Sequence, residues 1–158
     1  MRKAFVGAVG MIGLVIMAGF SAYAFAAPKG PTKRAFRDTL VGAEIGLNTT
    51  SPFEVFKVVS SLDGTCAAIG YPSTTGTSFP IHGTEPSTTY CANGVSKSRV
   101  KYVLNAPNAS GIITYTGSGK CVGGTGVHKN EKCTFTVKGT FNTKTSVDMG
   151  KFTGTDTR

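Results

Sequence analysis

Apolar and polar residues alternate along several short stretches of this chain. The stretch 132–138, KCTFTVK, places Cys133, Phe135 and Val137 on one face and lysines and threonines on the other. The stretch 98–105, SRVKYVLN, alternates in the same way. A two-residue period is typical of a β-strand with one face buried and the other in water. The pattern therefore predicts strands at 98–105 and 132–138.

Other segments also have the composition of strands, with many β-branched and aromatic residues. They are 35–41, 53–59, 65–71 and 112–116. Segment 53–59, FEVFKVV, is apolar enough to predict burial on both faces. Asp63-Gly64 is a turn signal that predicts a hairpin before 65–71. No segment keeps a 3.6-residue apolar period for three helical turns, so the sequence predicts an all-β fold.

The alternation stops between Pro72 and Ser96. This stretch is rich in glycine, proline, serine and threonine and shows little periodicity. Residues of these types favour turns, and we therefore predict a long loop that is held by Cys66 and Cys91. Long ordered loops in small domains are often functional, although a variable surface loop is an equally good interpretation of the same composition.

A glycine-threonine pair recurs every 15 residues near the end of the chain. The pairs begin at Gly124, Gly139 and Gly154. Each interval accommodates one strand and one turn, so the repeat predicts a β-meander with the pairs as equivalent turns at one end of a sheet or barrel. The fold predicted from these patterns is a small antiparallel β-barrel or sandwich with a C-terminal meander.

The start of the chain has the pattern of a secretory signal peptide. Met1-Arg2-Lys3 is a short basic segment, 4–27 carries no charge, and Ala24-Phe25-Ala26 fits a small-residue cleavage pattern. We therefore predict a signal peptide at 1–26, with cleavage after Ala26 favoured over cleavage after Ala24, and a secreted, periplasmic or cell-envelope location. The apolar run is also long enough to span a bilayer, so an uncleaved membrane anchor is the alternative.

The mature chain is predicted to form one domain. We assign 27–34 to a basic flexible arm and 35–158 to a single β domain. An even number of cysteines in a small exported protein usually forms disulfides. Of the three possible pairings we favour Cys66–Cys91 with Cys121–Cys133, because each of these bonds closes a short segment of chain.

The chain is basic, and this affects the partners that we expect. The formal charge is +9, and +7 remains once Arg2 and Lys3 are removed. Positive charge attracts anionic partners at long range, so we expect an anionic glycan, lipid or envelope polymer. No nucleic-acid-binding motif is present, and we expect no nucleic-acid partner. Membrane association would come only from an uncleaved N-terminal segment.

The stretch 117–140 combines glycines, cysteines, a histidine and lysines, and three interpretations compete. A Walker-type phosphate loop fails because Thr114 and Cys121 stand where a glycine and a hydroxyl belong. A zinc site built from Cys121, His128 and Cys133 lacks the paired ligand spacing of zinc motifs. A hairpin closed by a Cys121–Cys133 disulfide fits best, and we predict no metal and no cofactor.

Few residues are candidates for contacts with a ligand or partner. His82 and His128 are the only histidines, and we place His128 in the solvated tip of the hairpin beside Lys129 and Lys132. Glu54 is the least ordinary acidic residue because it lies in an apolar strand. We take these five residues as candidate ligand or surface contacts. No G-x-S-x-G elbow is present, so we assign no catalytic residue and do not expect an enzyme.

Three stretches of the C-terminal part carry a resemblance to a known group of folds. They are Gly117-Ser118-Gly119-Lys120, Gly123-Gly124-Thr125-Gly126 and Thr134-Phe135-Thr136-Val137-Lys138-Gly139-Thr140-Phe141. This part resembles the glycine-punctuated strands of the allene oxide cyclase and dirigent-type β-barrels. The resemblance implies an antiparallel barrel able to enclose a hydrophobic ligand. It carries over no active-site motif, and the four cysteines depart from the pattern of those families.

These observations lead to three functional expectations. The first is an exported, non-catalytic binding or structural protein of the cell envelope or extracellular space that favours anionic surfaces or glycans. The alternative is a β-barrel that binds a small hydrophobic ligand. A hydrolase or cyclase comes third, and it would depend on Glu54 or His82.

Overall fold

The computed structural model describes residues 30–45 and 52–158, which are almost entirely β-structure. The strands are β1 Lys33–Ile45, β2 Phe53–Ser60, β3 Gly64–Gly70, β4 Ser73–Thr75, β5 Ile81–Cys91, β6 Gly94–Leu104, β7 Ile112–Gly124, β8 Lys132–Asn142 and β9 Val147–Thr157. A short 3-10 helix, Gly126–His128, lies between β7 and β8. Among the described residues, no helix has the length and apolar character needed to cross a membrane. The all-β prediction is confirmed.

Eight of these strands form a closed antiparallel barrel. The order around the barrel is β3-β2-β1-β9-β8-β7-β6-β5, and the pairing of β5 with β3 closes it. The short strand β4 pairs with the other half of β5, so β3 and β4 follow one another along the same neighbour. The predicted antiparallel barrel is confirmed, and β7, β8 and β9 form the predicted C-terminal meander.

The core lies inside the barrel because alternate residues of each strand point inward. Along β8, for example, Cys133, Phe135 and Val137 are buried and the residues between them are exposed. The inward residues form two apolar clusters, and Phe152 packs against both. One consists of Phe36, Val100, Tyr102, Tyr115, Cys133, Phe135 and Val137, and the other of Leu40, Phe56, Val58, Cys66 and Ala68.

Glycines lie opposite the large aromatic side chains of the lumen. The cross-strand pairs are Gly42 with Phe56, Gly83 with Tyr102, Gly119 with Phe135, and Gly139 with Tyr115. A Cβ atom at any of these glycines would overlap the ring that faces it. The missing side chains therefore make room for rings that lie across the neighbouring strand, which is a common role of glycine in strands that curve into a barrel.

Two of the predictions for individual segments are wrong. The stretch 72–96 is not a long loop, because it contains all of β5, which pairs with β3 on one side and β6 on the other. Its threonines and serines suit a strand as well as a turn, because pairing with β3 and β6 satisfies the backbone hydrogen-bonding groups of β5. Segment 53–59 is not buried on both faces, because Val55 and Val59 lie on the outer surface of the barrel.

The glycine-threonine pairs are also not the turns of the meander. Gly139 and Gly154 lie within β8 and β9, and Gly124 is the last residue of β7. The predicted hairpin after Asp63-Gly64 does form, between β2 and β3. Strand β1 begins at Lys33, two residues before the predicted start. The predicted signal peptide, 1–26, lies outside the described residues, as does the alternative of an uncleaved anchor.

Both favoured disulfide pairings are present in the structure. Cys66–Cys91 joins β3 to β5, where the barrel closes, and Cys121–Cys133 joins β7 to β8. The Cα–Cα distances are 4.5 Å and 4.8 Å, which are typical of directly opposite residues at non-hydrogen-bonded positions of an antiparallel ladder. All four sulfur atoms lie inside the barrel, so the disulfides also belong to the walls of the lumen.

Candidate binding site inside the barrel

The barrel separates its charges between the inside and the outside. All eight acidic residues of the sequence line the lumen. Of the lysines and arginines in the described ranges, Arg158 alone lines it. The others are exposed on the outer surface. They are Lys33, Arg34, Arg37, Lys57, Lys97, Arg99, Lys101, Lys120, Lys129, Lys132, Lys138, Lys144 and Lys151. The surface is therefore cationic, and the lumen is anionic.

The lumen contains a cavity of about 450 Å³. Its middle is lined by apolar side chains, among them Leu40, Phe56, Val58, Val100 and Phe152. Small-molecule pockets have volumes of about 300–1,000 Å³ and are mostly apolar with a few polar groups. The volume and the lining of this cavity are therefore those of a ligand pocket.

One end of the lumen, which we call the acid end, contains Glu44, Glu54, Glu85 and Asp148. These residues come from β1, β2, β5 and β9. Glu44 is directly opposite Glu54 in the register of β1 and β2. Glu54 in turn pairs with Gly70, and the carboxylate of Glu85 lies over that glycine, where a Cβ atom would overlap it. Gly70 thus leaves space for an acidic side chain rather than for an aromatic ring.

Two tyrosines complete the acid end from β6 and β7. The Tyr115 hydroxyl donates a hydrogen bond of 2.7 Å to Asp148 Oδ1. The ring of Tyr102 lies between Gly83 and Gly117, its partners in the ladder on either side. Burial, and then the nearby carboxylates, raise the pKa of both tyrosines, so the phenols stay protonated and act as donors.

Burial raises the pKa of each carboxyl at the acid end. The exposed fraction of Glu54 is 7%. Burial, and after it repulsion from Glu85, Asp148 and Glu44, raises the pKa of Glu54 to about 9. Burial, and after it repulsion from Asp148 and Glu44, raises the pKa of Glu85 to about 7. Burial raises the pKa of Asp148 to about 6, although the hydrogen bond from Tyr115 acts in the opposite direction.

The opposite end of the lumen, which we call the arginine end, contains Asp63, His128, Glu131, Asp156 and Arg158. The guanidinium of Arg158 donates hydrogen bonds of 2.7 Å and 2.6 Å to the two carboxylate oxygens of Asp63. It also contacts Asp156, and its Nε lies 3.4 Å from Glu131 Oε1. This end therefore has a cation of its own that bridges three buried carboxylates.

The electrostatics of the arginine end follow from that cation. Burial would raise the pKa of Asp63, but hydrogen bonds from Arg158 and Asn93 outweigh it and hold that pKa below its ordinary value. Burial prevails at Asp156 and raises its pKa, although Arg158 acts against it. Hydrogen bonding to Asp63 raises the pKa of Arg158.

The prediction that His128 is solvated is wrong. Its exposed fraction is 1%, because the short helix that carries it folds over the end of the barrel. His128 Nδ1 is 2.9 Å from Glu131 Oε1, while Nε2 has no hydrogen-bond partner among the described residues and lies 4.0 Å from Asp63 Oδ1. Lys129 and Lys132, the neighbours of His128 in the sequence, are exposed as predicted.

The lumen does not offer a metal site built from thiolates. Among the described residues, one group of three possible ligands comes together, namely Asp63, Cys91 and His128, whose ligand atoms lie within 4.8 Å of one another. Cys91 is bonded to Cys66, so its sulfur is not a thiolate. The zinc site considered from the sequence fails for the same reason, since Cys121 and Cys133 are bonded to each other.

The structure does not bring the five candidate contact residues together. Glu54 belongs to the acid end, and His128 belongs to the arginine end. His82 is exposed on the outer face of β5, and Lys129 and Lys132 are exposed beyond β7 and before β8. The prediction that Glu54 is unusual identified one member of the acid end, while the two histidines do not share a site.

Three members of the acid end, Glu44, Glu85 and Asp148, were not among the candidates. A signal for Glu85 existed in the sequence. Cys91 was expected to form a disulfide, and counting back from it in steps of two residues reaches Glu85 on the same face of a strand. The interpretation of 72–96 as a loop concealed this relation. Asp148 occupies an equivalent position, four residues before the inward-facing Phe152.

We compared the chain with known proteins in three ways. No protein-family model matches it, no curated protein matches it, and no solved structure matches it. The barrel has the antiparallel architecture that the resemblance to allene oxide cyclase and dirigent-type barrels implied, but the comparisons show no relation to those families. Arguments about function therefore rest on the lumen and the surface themselves.

Proposed function

We propose that this protein is a non-catalytic carrier that binds a small, largely apolar molecule inside its barrel. The observation that supports the proposal is the closed barrel around a cavity of about 450 Å³ with apolar walls. Each Å² of apolar ligand surface removed from water contributes about 25 cal/mol. The two disulfides and the continuous ladder keep the walls in place, so little binding free energy is lost to ordering the site.

The lumen can be tested by filling it. Ala68 is buried in the lumen, while its neighbour Ala67 is exposed on the outer face of the same strand. We expect the neutral dye N-phenyl-1-naphthylamine to bind with increased fluorescence, and Ala68→Phe to weaken this binding at least about tenfold. Ala67→Phe adds the same ring outside and should leave binding unchanged.

Two results would count against a luminal carrier. The first is an absence of dye binding to the wild-type protein. The second is equal binding to the Ala68→Phe and Ala67→Phe variants, which would place the dye on the outer surface. Thermal unfolding of both variants checks that the barrel is intact, and Ala68→Leu provides a smaller replacement if phenylalanine is too large to fold.

A second function has separate support from the outer surface, namely binding to an anionic glycan, lipid or envelope polymer. Arg99 lies directly opposite Lys120, and Lys138 lies directly opposite Lys151. Like charges at directly opposite positions destabilise a sheet, so such pairs are expected where an anion binds them. An exported location agrees with this role, because disulfides persist in oxidising compartments.

Heparin affinity chromatography tests the surface. We expect Arg99→Gln/Lys120→Gln to elute at clearly lower salt than Lys57→Gln/Lys129→Gln, although both variants lose two charges. Retention that does not depend on salt, or equal elution of the two double variants, would refute a specific anion-binding surface. Dye binding in the lumen should be unaffected in both variants, so the two functions are measured independently.

A further inference from the structure

We infer that the acid end of the lumen binds the positively charged nitrogen of an organic cation, a protonated amine whose apolar body occupies the rest of the cavity. This inference rests on the proposed carrier function and specifies the chemical class of the ligand. It is argued from the contrast between the two ends of the barrel, from the environment of Glu54, and from the spacing of the acidic residues.

The two ends of the lumen differ in how their carboxylates are neutralised. At the arginine end, Arg158 and His128 lie among Asp63, Glu131 and Asp156. At the acid end, no lysine, arginine or histidine of the described residues forms an ion pair with any of the four carboxylates. Buried carboxylates are usually paired with a cation. The fold supplies that cation at one end, and a ligand would supply it at the other.

Glu54 is a buried carboxyl that has no hydrogen-bond or ion-pair partner among the described residues. More than nine-tenths of its surface is buried, and it points into the cavity. Within residues 30–45 and 52–158, neither Glu54 nor Glu85 accepts a hydrogen bond or forms an ion pair. A buried polar group without a partner costs about 1–3 kcal/mol or more. A ligand that donates hydrogen bonds to Glu54 and Glu85 would remove this cost.

The spacing of the acidic residues favours an organic cation over a bare metal ion. Glu44, Glu54, Glu85 and Asp148 lie on four different strands, and no three of their carboxylates come as close together as metal ligands must. An ammonium group donates up to three hydrogen bonds in different directions, which suits acceptors distributed around a wall. The rings of Tyr102 and Tyr115 add aromatic faces, which attract organic cations.

Apolar walls and the acid end are parts of one continuous cavity. The side chains of Phe56 and Leu40 line the same space as Glu54 and Glu85. A molecule with an apolar body and one positive end therefore matches both regions at once. A neutral apolar molecule would leave Glu54 without a partner, and an anion would be repelled.

The binding should be linked to protons. The groups that face Glu54 are Glu44 from β1, Glu85 from β5, Asp148 from β9, and the phenols of Tyr102 and Tyr115. Burial, and after it repulsion from the neighbouring carboxylates, raises the pKa of Glu54 to about 9, so that Glu54 is protonated near pH 7.5 in the empty barrel. A cation replaces that proton, so a proton is released when the ammonium binds. Release of a proton distinguishes binding at the acid end from apolar binding in the middle of the lumen.

Isothermal titration calorimetry with three matched probes tests the inference. Octylamine, octanol and octanoate share one apolar chain and differ in the charge of the head group. Near pH 7.5, where an alkyl amine is protonated, we expect octylamine to bind at least about tenfold more tightly than octanol, and octanoate to bind most weakly. Titrations in two buffers with different ionisation enthalpies should show net release of protons for octylamine but not for octanol.

Substitution of the acid end provides the control. In Glu54→Gln/Glu85→Gln, octylamine should lose its proton release and should bind no more tightly than octanol binds to the same variant. Equal binding of octanol and octylamine to the wild-type protein would overturn the cation site and leave the carrier function standing. An absence of binding for all three probes and for N-phenyl-1-naphthylamine would overturn the carrier function itself. An advantage of octylamine over octanol that persists in the double variant would also overturn the site.

Discussion

Replacing Arg158 with methionine removes the cation that holds the arginine end together. Methionine keeps most of the length and apolar character of the side chain, so the change is mainly the loss of charge and hydrogen bonds. Arg158 has 11% of its side chain exposed, and Asp63 and Asp156 have 7% and 2%. The variant therefore leaves carboxylates in a place that water hardly reaches.

The size of the effect can be worked out in two ways. Breaking a buried ion pair by removing one partner costs about 3–5 kcal/mol. A carboxyl with an ordinary pKa of 3.8 can instead take up a proton, which at pH 7 costs about 4 kcal/mol. Protonation of Asp63 therefore limits the penalty, and we expect Arg158→Met to lower the free energy of unfolding by about 3–4 kcal/mol at pH 7.

The pH dependence follows from the same reasoning. Asp63 has a lowered pKa in the folded protein, so its stabilising contribution is present above the pKa of the unfolded chain and is lost as pH falls below it. In the variant, the cost of protonating Asp63 disappears as the pH approaches 4. The difference between wild type and Arg158→Met should therefore shrink to about 1 kcal/mol near pH 4.

Urea denaturation with the disulfides intact measures this difference at both pH values. Arg99→Met is the matched control, because Arg99 is exposed on β6 and its replacement should change stability by less than about 0.5 kcal/mol. If Arg158→Met is within about 1 kcal/mol of wild type at pH 7, the arginine does not stabilise this end. If a large deficit is the same at pH 4 and pH 7, the loss is one of packing rather than of charge.

Three further predictions concern the rest of the barrel. The free energy of unfolding should fall as pH rises between about 4.5 and 9, because over that range folded Glu54 keeps a proton that the unfolded chain has lost. Urea denaturation at several pH values should show a smaller fall for Glu54→Gln than for the wild-type protein. Gly139→Ala should cost about 1–3 kcal/mol in the same assay, since its Cβ would overlap the ring of Tyr115. Replacing Cys66 and Cys91 with serine should cost about 2–4 kcal/mol and should open the barrel where β3 meets β5, which hydrogen exchange would detect.

Each of these predictions has its own control. A stability that rises with pH in the wild-type protein would contradict the raised pKa of Glu54. Gly30→Ala should be neutral, since no atom lies within 4 Å of the added Cβ, and a Gly139→Ala variant as stable as Gly30→Ala would contradict the overlap with Tyr115. Increased exchange spread evenly over all strands after loss of Cys66–Cys91 would argue against a local opening.

The sequence predicted the strands whose two faces differ in polarity, and it missed the others. The stretch 132–138 alternates apolar residues with lysine and threonine, so its two-residue period could be recognised in the sequence. In β5, from Ile81 to Cys91, both faces carry small polar residues, and the contrast between them is weak. Such a strand is specified by its partners β3 and β6, which no local pattern reveals.

The candidate site was predictable only in part for a related reason. Glu54 stood out because its neighbours in the chain are apolar, which is local information. Glu44, Glu85 and Asp148 join it only when the barrel closes, since the four residues are far apart in sequence. His128 was misjudged because a glycine-rich tip with two lysines indicates a solvated loop, while the short helix turns this one side chain inward.

The separation of charges between the two faces of each strand also bears on how the barrel finds its register. In β6, Lys97, Arg99 and Lys101 point outward, and the residues between them point inward. A slip of one residue against a neighbouring strand exchanges the two faces. It would carry three cations into a closed lumen, at a cost of several kcal/mol for each desolvated charge. Barrels with a slipped strand are thereby disfavoured during folding. Surface lysines that make no contact in the native state therefore still help to select the native register.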